Sequence, residues 1–197
     1  MDIWQQIIEG ASNSSFLEFV ALIFGLWSVW LARQERIALY PTGLVNVAIS
    51  IYICAIFGLY ADMGINMYYL IISIYGWIHW QKGEKGNSLP ITSLVKMEWV
   101  KGVLLLLVSF IIIWIILVKF TNSTVPMYDA LTTSLFIVGM WWMAEKKIQH
   151  WLAWIVGDAL SIPLYFYKGL GFFALQYLIF TIMAISGYIH WRKLMKK

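Results

Sequence analysis

The chain has 197 residues, of which 61% are apolar and only 12% charged, with a formal net charge of +4. That charged share is about half the usual one for a soluble domain, which excludes an ordinary soluble enzyme and leaves an all-α integral membrane protein, a single transmembrane domain over 1–197. The one cysteine, Cys54, excludes an intrachain disulfide.

Asp2 and Glu9 stand where a signal peptide would be basic, so none is expected. Seven apolar runs then follow, each long enough to cross a bilayer as a helix. The first, 16–31, carries Glu18 near its start. The second, 37–59, places Gly43, Asn46 and Ser50 on one face, behind Pro41. The third, 63–80, spaces Asn66, Tyr69 and Ser73 at i, i+3, i+7. The stretch 81–98, with Gly83, Gly86, Asn87, Ser88 and Pro90, reads as an exposed linker. The fourth run, 99–118, is nearly free of polar residues and reads as a connector. The fifth, 127–144, opens on Asp129, Thr132 and Thr133. The sixth, 148–167, sets Trp151, Trp154 and Asp158 at i, i+3, i+7, two large rings and an acid on one stripe. The seventh, 170–191, offers Gln176 and Tyr177.

Residues 30–82 recur at 141–193 with no gap, 15 of the 53 aligned positions being identical. Gly76-Trp77-Ile78-His79-Trp80 returns as Gly187-Tyr188-Ile189-His190-Trp191. The expected architecture is therefore 3+1+3: repeat one over 16–82, the connector helix at 99–118, and repeat two over 127–193. Twelve of the 14 lysines and arginines fall on one side of the seven spans, and only Lys119 and Lys168 on the other. The positive-inside rule puts the N-terminus outside and the C-terminus in the cytoplasm. The basic excess is thus assigned to membrane orientation, and no nucleic-acid partner is expected. Four crossings separate equivalent points, so the repeats are parallel, with a substrate path between them.

Polar groups inside a membrane need a reason. Asp158 with Trp154 and Trp151 suits a flat cationic ring, through cation–π contacts and charge balance; the competing role for Trp151 is in the interfacial belt. Asn46 reads as a ligand contact or an interhelical hydrogen bond. Glu18 and Asp129, 111 positions apart, either bracket the mouth of a cation path or serve as N-terminal carboxylates of their helices. Thr132 belongs to that possible gate, although threonines in helices usually bond their own backbone. Trp80 and Trp191, followed by basic residues, read as an aromatic belt. Gly25, Gly64, Gly76 and Gly187 read as close helix contacts. No catalytic motif, metal-ligand spacing or cofactor signature is present, so no enzyme, metal or cofactor is expected.

As a set, Glu18, Gly43-Leu44-Val45-Asn46-Val47, Leu59-Tyr60-Ala61, Ile74-Tyr75-Gly76-Trp77 with Trp80, Tyr128-Asp129, Trp151-x-x-Trp154 and Tyr167-Lys168-Gly169-Leu170 resemble the nicotinamide riboside transporter PnuC family. The resemblance covers both repeats. It implies a multi-pass protein of the bacterial inner membrane with a fold akin to SWEET sugar carriers. It also implies uptake of an NAD precursor by facilitated diffusion with alternating access, homotrimeric assembly, and functional coupling to a cytoplasmic substrate kinase. The site it implies takes a cationic aromatic vitamin precursor. The ring would lie against Trp154 or Tyr69, and the ribose hydroxyls would meet Asn46, Gln176 and Asp158, with Asn66, Trp151 and Tyr177 completing the set. Three positions depart from the family pattern: Asp158 where asparagine is expected, Asn66 where glutamine is expected, and Gln176 where glutamate occurs. Related carriers of the same fold take thiamine or riboflavin, and thiamine is the alternative substrate. A passive channel would need a continuous polar lining, which the clustered aromatics oppose. A scaffolding subunit would tolerate loss of Asp158.

Overall fold

Turn chemistry and capping residues divide the chain into helices. The computed structural model describes residues 2–82 and 89–196. Among them lie eight helices: α1 (Ile3–Asn13), α2 (Phe16–Arg33), α3 (Leu39–Ile56), α4 (Tyr60–Trp80), α5 (Lys96–Phe120), α6 (Pro126–Ala144), α7 (His150–Tyr167) and α8 (Gly171–Leu194). By length and composition α2, α3, α5 and α8 are apolar enough to cross a membrane. Helices α2 to α8 occupy the seven expected runs. Helix α1 is an addition, too short to register as a span, and it packs on the start of α8, where Gly171 meets Gln6 and Gly10 meets Phe172.

The two repeats close their helices in the same way. Glu35 (φ 61°) and Lys146 (φ 54°) are the non-glycine residues with positive φ among those described, and they are 111 positions apart. Behind them Arg36 N–H donates to the Leu31 carbonyl and Lys147 N–H to the Trp142 carbonyl, again equivalent positions. Gly58 (φ 67°) and Gly169 (φ 75°) repeat the device at the opposite end of the bundle. There Leu59 donates to Cys54 and Leu170 to Tyr165. These are left-handed helix caps, in which the amide beyond the αL residue satisfies a carbonyl of the last turn.

Helices α2, α3 and α4 pack in sequence, as do α6, α7 and α8; the two groups meet through α2 against α8 and α4 against α6, and α5 lies on α6. The core between the groups is built from equivalent residues facing each other. The rings of Trp80 and Trp191 stand 6.0 Å apart. Trp80 Nε1 donates to the Met143 carbonyl at 3.1 Å, and Trp191 Nε1 to the Ala32 carbonyl at 3.0 Å. Because Ala32 and Met143 are themselves 111 apart, each triplet receives the other's terminal indole. Trp80 and Trp191 are therefore not an interfacial belt: they are 1% and 0% exposed. An indole N–H that finds a buried carbonyl can leave the interface altogether. Gly76 and Gly187 make the room, since a Cβ on either would run into Tyr40 or Trp151, themselves an equivalent pair. Gly64, by contrast, has nothing within 4 Å of an added Cβ.

Glu35 and Lys146 also meet, at 2.7 Å, with the lysine side chain wholly buried and the glutamate one quarter exposed. The ammonium lies 4.5 Å from the Trp80 ring centroid. Burial pulls the Lys146 ammonium below the usual lysine range, and Glu35 opposes that shift. Glu35→Gln removes the carboxylate from a buried ammonium. It is expected to destabilise by roughly 1–3 kcal/mol, less than a fully buried pair because Glu35 is partly solvated. Since the two positions are structurally equivalent, the exchange Glu35→Lys with Lys146→Glu should recover most of the loss, the cation moving towards Trp191. Thermal unfolding in detergent reads both, and a double exchange no better than Glu35→Lys alone would refute the equivalence.

The expected linker at 81–98 is docked where it is described. Thr92 N–H donates to the Lys146 carbonyl and Ile148 N–H to the Thr92 carbonyl, forming a parallel bridge between Thr92 and Lys147. Leu94 N–H donates to Gln149 Oε1 at 3.0 Å. Leu94 is buried in one core cluster and Ile91 packs against the other, so two of the stretch's apolar residues find core. Gly83, Gly86, Asn87 and Ser88 lie outside the described residues.

A cavity between the repeats

All six repeat helices border one cavity of about 290 Å³, to which α1 and α5 contribute nothing. Most of its lining forms eight pairs of residues 111 apart, from Gly25 with Phe136 to Ser73 with Ala184. The cavity therefore straddles the relation between the repeats. Its volume is at the lower end of the ~300–1,000 Å³ typical of small-molecule sites.

Seven of the eight expected contact residues line it: Asn46, Tyr69, Trp151, Trp154, Asp158, Gln176 and Tyr177. Asp158 is 3% exposed, and no hydrogen bond or ion pair reaches its carboxylate from the described residues. The lining holds no lysine, arginine or histidine. Asn46 donates through Nδ2 to the Ala21 carbonyl at 2.7 Å, so its oxygen is the atom left for a ligand. Asn46 thus makes the interhelical hydrogen bond, joining α3 to α2, and also lines the cavity. Trp151 is 2% exposed and rests against Gly187 and Trp191, which makes it part of the floor and not of an interfacial belt. Trp154 stacks on Phe136 at 5.2 Å and 23°, and Phe136 continues in parallel onto Tyr177 at 6.0 Å and 1°.

Asn66 is not in the lining; its Nδ2 donates to the Asp62 carbonyl of its own helix at 2.9 Å. On α4 the residues facing the cavity are Tyr69 and Ser73. Asn66 lies nearly a turn before Tyr69 and about 60° round the helix, which carries it past the end of the cavity. The three expected mouth residues have local duties. Ser15 and Glu18 form a capping box at the start of α2, Glu18 N–H donating to Ser15 Oγ at 3.3 Å and Ser15 N–H to the Glu18 carboxylate. Asp129 pairs with Lys168 and accepts from Ser123 Oγ at 2.6 Å. Thr132 donates to the Tyr128 and Asp129 carbonyls of α6. Among the described residues no three His, Cys, Asp or Glu side chains could share a metal ion. His79 stacks on Tyr75 and lies 3.6 Å from Glu145, an interfacial cluster apart from the cavity.

The sequence reading missed Phe136, Phe180 and Tyr40 in the lining. The repeat itself signals two of them, Phe180 as the counterpart of Tyr69 and Tyr40 as that of Trp151.

The sequence model of the nicotinamide mononucleotide transporter family matches residues 15–193. The chain belongs to this family. Among its relatives is the nicotinamide riboside transporter PnuC of Escherichia coli (strain K12), 24% identical over 92% of this chain and 87% of that protein. PnuC of Neisseria mucosa is 27% identical over 98% of this chain and 78% of that protein. The riboflavin/roseoflavin transporter RibM of Streptomyces davaonensis is 22% identical over 88% and 83%. A crystal structure of the vitamin B3 transporter PnuC superposes with a TM-score of 0.74 at 27% identity, covering 98% of this chain and 88% of that one. These members of the family are transporters.

Proposed function

We propose that the chain is a multi-pass carrier that takes up nicotinamide riboside across the inner membrane of a bacterium. The observation that carries the substrate is Asp158. A carboxylate almost wholly buried and without a partner among the described residues is stabilised in its charged form by a cation. Nicotinamide riboside supplies one in its pyridinium ring, which Trp154 can stack against. The mononucleotide adds a phosphate, for which the lining has no basic residue. Riboflavin is neutral and gains no charge pairing from Asp158. Thiamine, a cationic aromatic, is the second reading that the same carboxylate permits.

Seven crossings, α2 to α8, arranged 3+1+3 with the N-terminus outside and the C-terminus in the cytoplasm, fit the basic residues at one end and the indole exchange between triplets. Alternating access follows from a site shared by two equivalent units, each rocking against the other. The movement is facilitated diffusion, and a cytoplasmic kinase that phosphorylates the riboside would trap it, since the cavity does not suit the phosphate. Assembly as a homotrimer would leave α5, apolar and bare along most of its length, against lipid or a neighbouring copy.

Binding to the purified protein tests the reading, with nicotinamide riboside, thiamine, riboflavin and nicotinamide mononucleotide measured in parallel. The riboside should raise the melting temperature and the mononucleotide should not. Stabilisation by thiamine alone would move the assignment to that vitamin, and stabilisation by the mononucleotide would sink the charge argument.

A further inference from the structure

The two seams between the triplets, α4 against α6 and α2 against α8, are equivalent in place but unequally tied at the end rich in basic residues. From α4, Tyr68 Oη donates to the Ile137 carbonyl of α6 at 2.9 Å, and Tyr75 donates to the carboxylate of Glu145, the residue that ends α6. His79 stacks on Tyr75 and lies 3.6 Å from the same carboxylate. At the matching positions of the other seam stand Ile179, Ser186, Gln34 and His190. Ile179 has no hydroxyl, and no side-chain hydrogen bond or ion pair is made by Ser186, Gln34 or His190 among the described residues. The seams share only the terminal indole bond, Trp80 to the Met143 carbonyl and Trp191 to the Ala32 carbonyl. The backbone repeats the inequality. Leu89 N–H donates to the Trp80 carbonyl, and Thr92 pairs with Lys146 and Ile148, so the segment leaving α4 is fastened to the turn that follows α6. Among the described residues no distant backbone segment is fastened to the equivalent turn after α2. The cavity leans the same way: towards this end α2 lines it with Val29 and Ala32, where α6 presents the larger Met140 and Met143.

Two rigid units that rock against each other move least at their hinge and most at the opposite seam. Side-chain bonds at the hinge persist through the cycle, whereas bonds across the opening seam must be broken at every turn. We propose that α4 and α6 are the hinge at the cytoplasmic end, and that the α2/α8 seam parts there to release the substrate. Trp191 is then the one terminal indole that lets go of its carbonyl, while Trp80 keeps its bond to Met143. The exit is one-sided although the two repeats are equivalent. Gln34, Ser186 and His190 come to its mouth; polar and unbonded to one another in the closed form, they gain water without giving up a partner. This rests on the reading of the chain as a carrier, and adds which seam opens and which side chains hold the other shut.

Cysteine pairs at equivalent positions test it, both in a Cys54→Ala background: Gln34→Cys with His190→Cys on the opening seam, and Glu145→Cys with His79→Cys on the hinge. Uptake of nicotinamide riboside into proteoliposomes is read before bridging each pair with a short bis-thiosulfonate, after bridging, and again after reduction. The bridge from α2 to α8 should abolish uptake until it is reduced, and the bridge from α4 to α6 should leave most of it. Uptake that survives the first bridge, or that is lost equally to both, would overturn the hinge. No uptake of the riboside or of thiamine before bridging would instead remove the carrier reading. Should the cysteine pairs fold poorly, Gln34→Glu with Ser186→Tyr writes the Tyr75–Glu145 tie into the other seam, beside His190. That double variant should melt higher and take up substrate about three- to tenfold more slowly, the change in open fraction that one hydrogen bond of ordinary strength makes. A double variant that melts higher and transports at the wild-type rate would refute the opening of this seam.

Discussion

Asp158→Ala is expected to move affinity and stability in opposite directions. Without substrate the carboxyl is a buried polar group with no partner among the described residues, and removing such a group relieves a penalty of about 1–3 kcal/mol. The variant should therefore melt higher than wild type, by about 2–4 °C for each kcal/mol in a chain of this size. With substrate this nearly buried carboxylate faces a cation, and truncating one partner of such a pair costs at least about 2 kcal/mol, or about 30-fold in affinity. Asp158→Asn keeps a polar group without the charge and should fall between. It also restores the residue expected in the family pattern, so it should bind neutral aromatic ligands no worse than wild type. Calorimetric binding and thermal unfolding on the same preparations read both effects. A variant that loses stability and keeps affinity would mean that Asp158 is structural.

The largest loss of stability is expected at the exchanged indoles. Trp191→Ala removes a fully buried ring packed on Trp80, His150 and Trp151, and takes from the Ala32 carbonyl its side-chain donor, leaving it the backbone N–H of Glu35. Trp80→Ala does the same to the Met143 carbonyl and to the ring beneath Lys146. Each should cost about 3–5 kcal/mol, the range for emptying a buried aromatic site. Because the two rings touch, the double variant should lose clearly less than the sum. Trp→Phe at either position separates the bond from the packing and should cost about 1–2 kcal/mol. Were these tryptophans interfacial, as their place before basic residues suggests, either alanine variant would cost under about 1 kcal/mol, and thermal unfolding distinguishes the two outcomes.

Periodicity and composition made the seven long helices legible, because a bilayer-spanning run must be apolar along its whole length whatever it packs against. The same rule hid α1, whose 11 residues are held by contact with α8 and not by a long apolar run. It also misread Trp80 and Trp191, since a belt and a buried cross-repeat bond look alike in a sequence: a tryptophan near a helix end. The described part of the linker is mostly exposed, as expected, but its anchoring at Leu94 was hidden for the converse reason. Turn-forming residues mark where the chain leaves a helix, and they are silent on whether Ile91 and Leu94 then find a core.

For the cavity, the helical stripe of Trp151, Trp154 and Asp158 sufficed to put three residues on one face, and the 111-residue offset sufficed to say that an equivalent face exists. Spacing along a helix fixes direction around its axis but not depth, which is why Asn66 falls beyond the end of the cavity while Tyr69 and Ser73 face it. Glu18 and Asp129 could be read from sequence only as carboxylates near helix starts. Whether they guard a path depends on partners distant in sequence, and Asp129 finds Lys168, 39 residues on. The sequence by itself determined a duplicated membrane chain with one acidic, aromatic face in its second half, because hydrophobic length and repetition are properties of the chain. Only the tertiary structure decided that this face lines a cavity shared with repeat one, that Asp158 has no partner among the described residues, and that the terminal tryptophans cross between triplets, because each of these is a relation between surfaces that meet only when the two repeats pack.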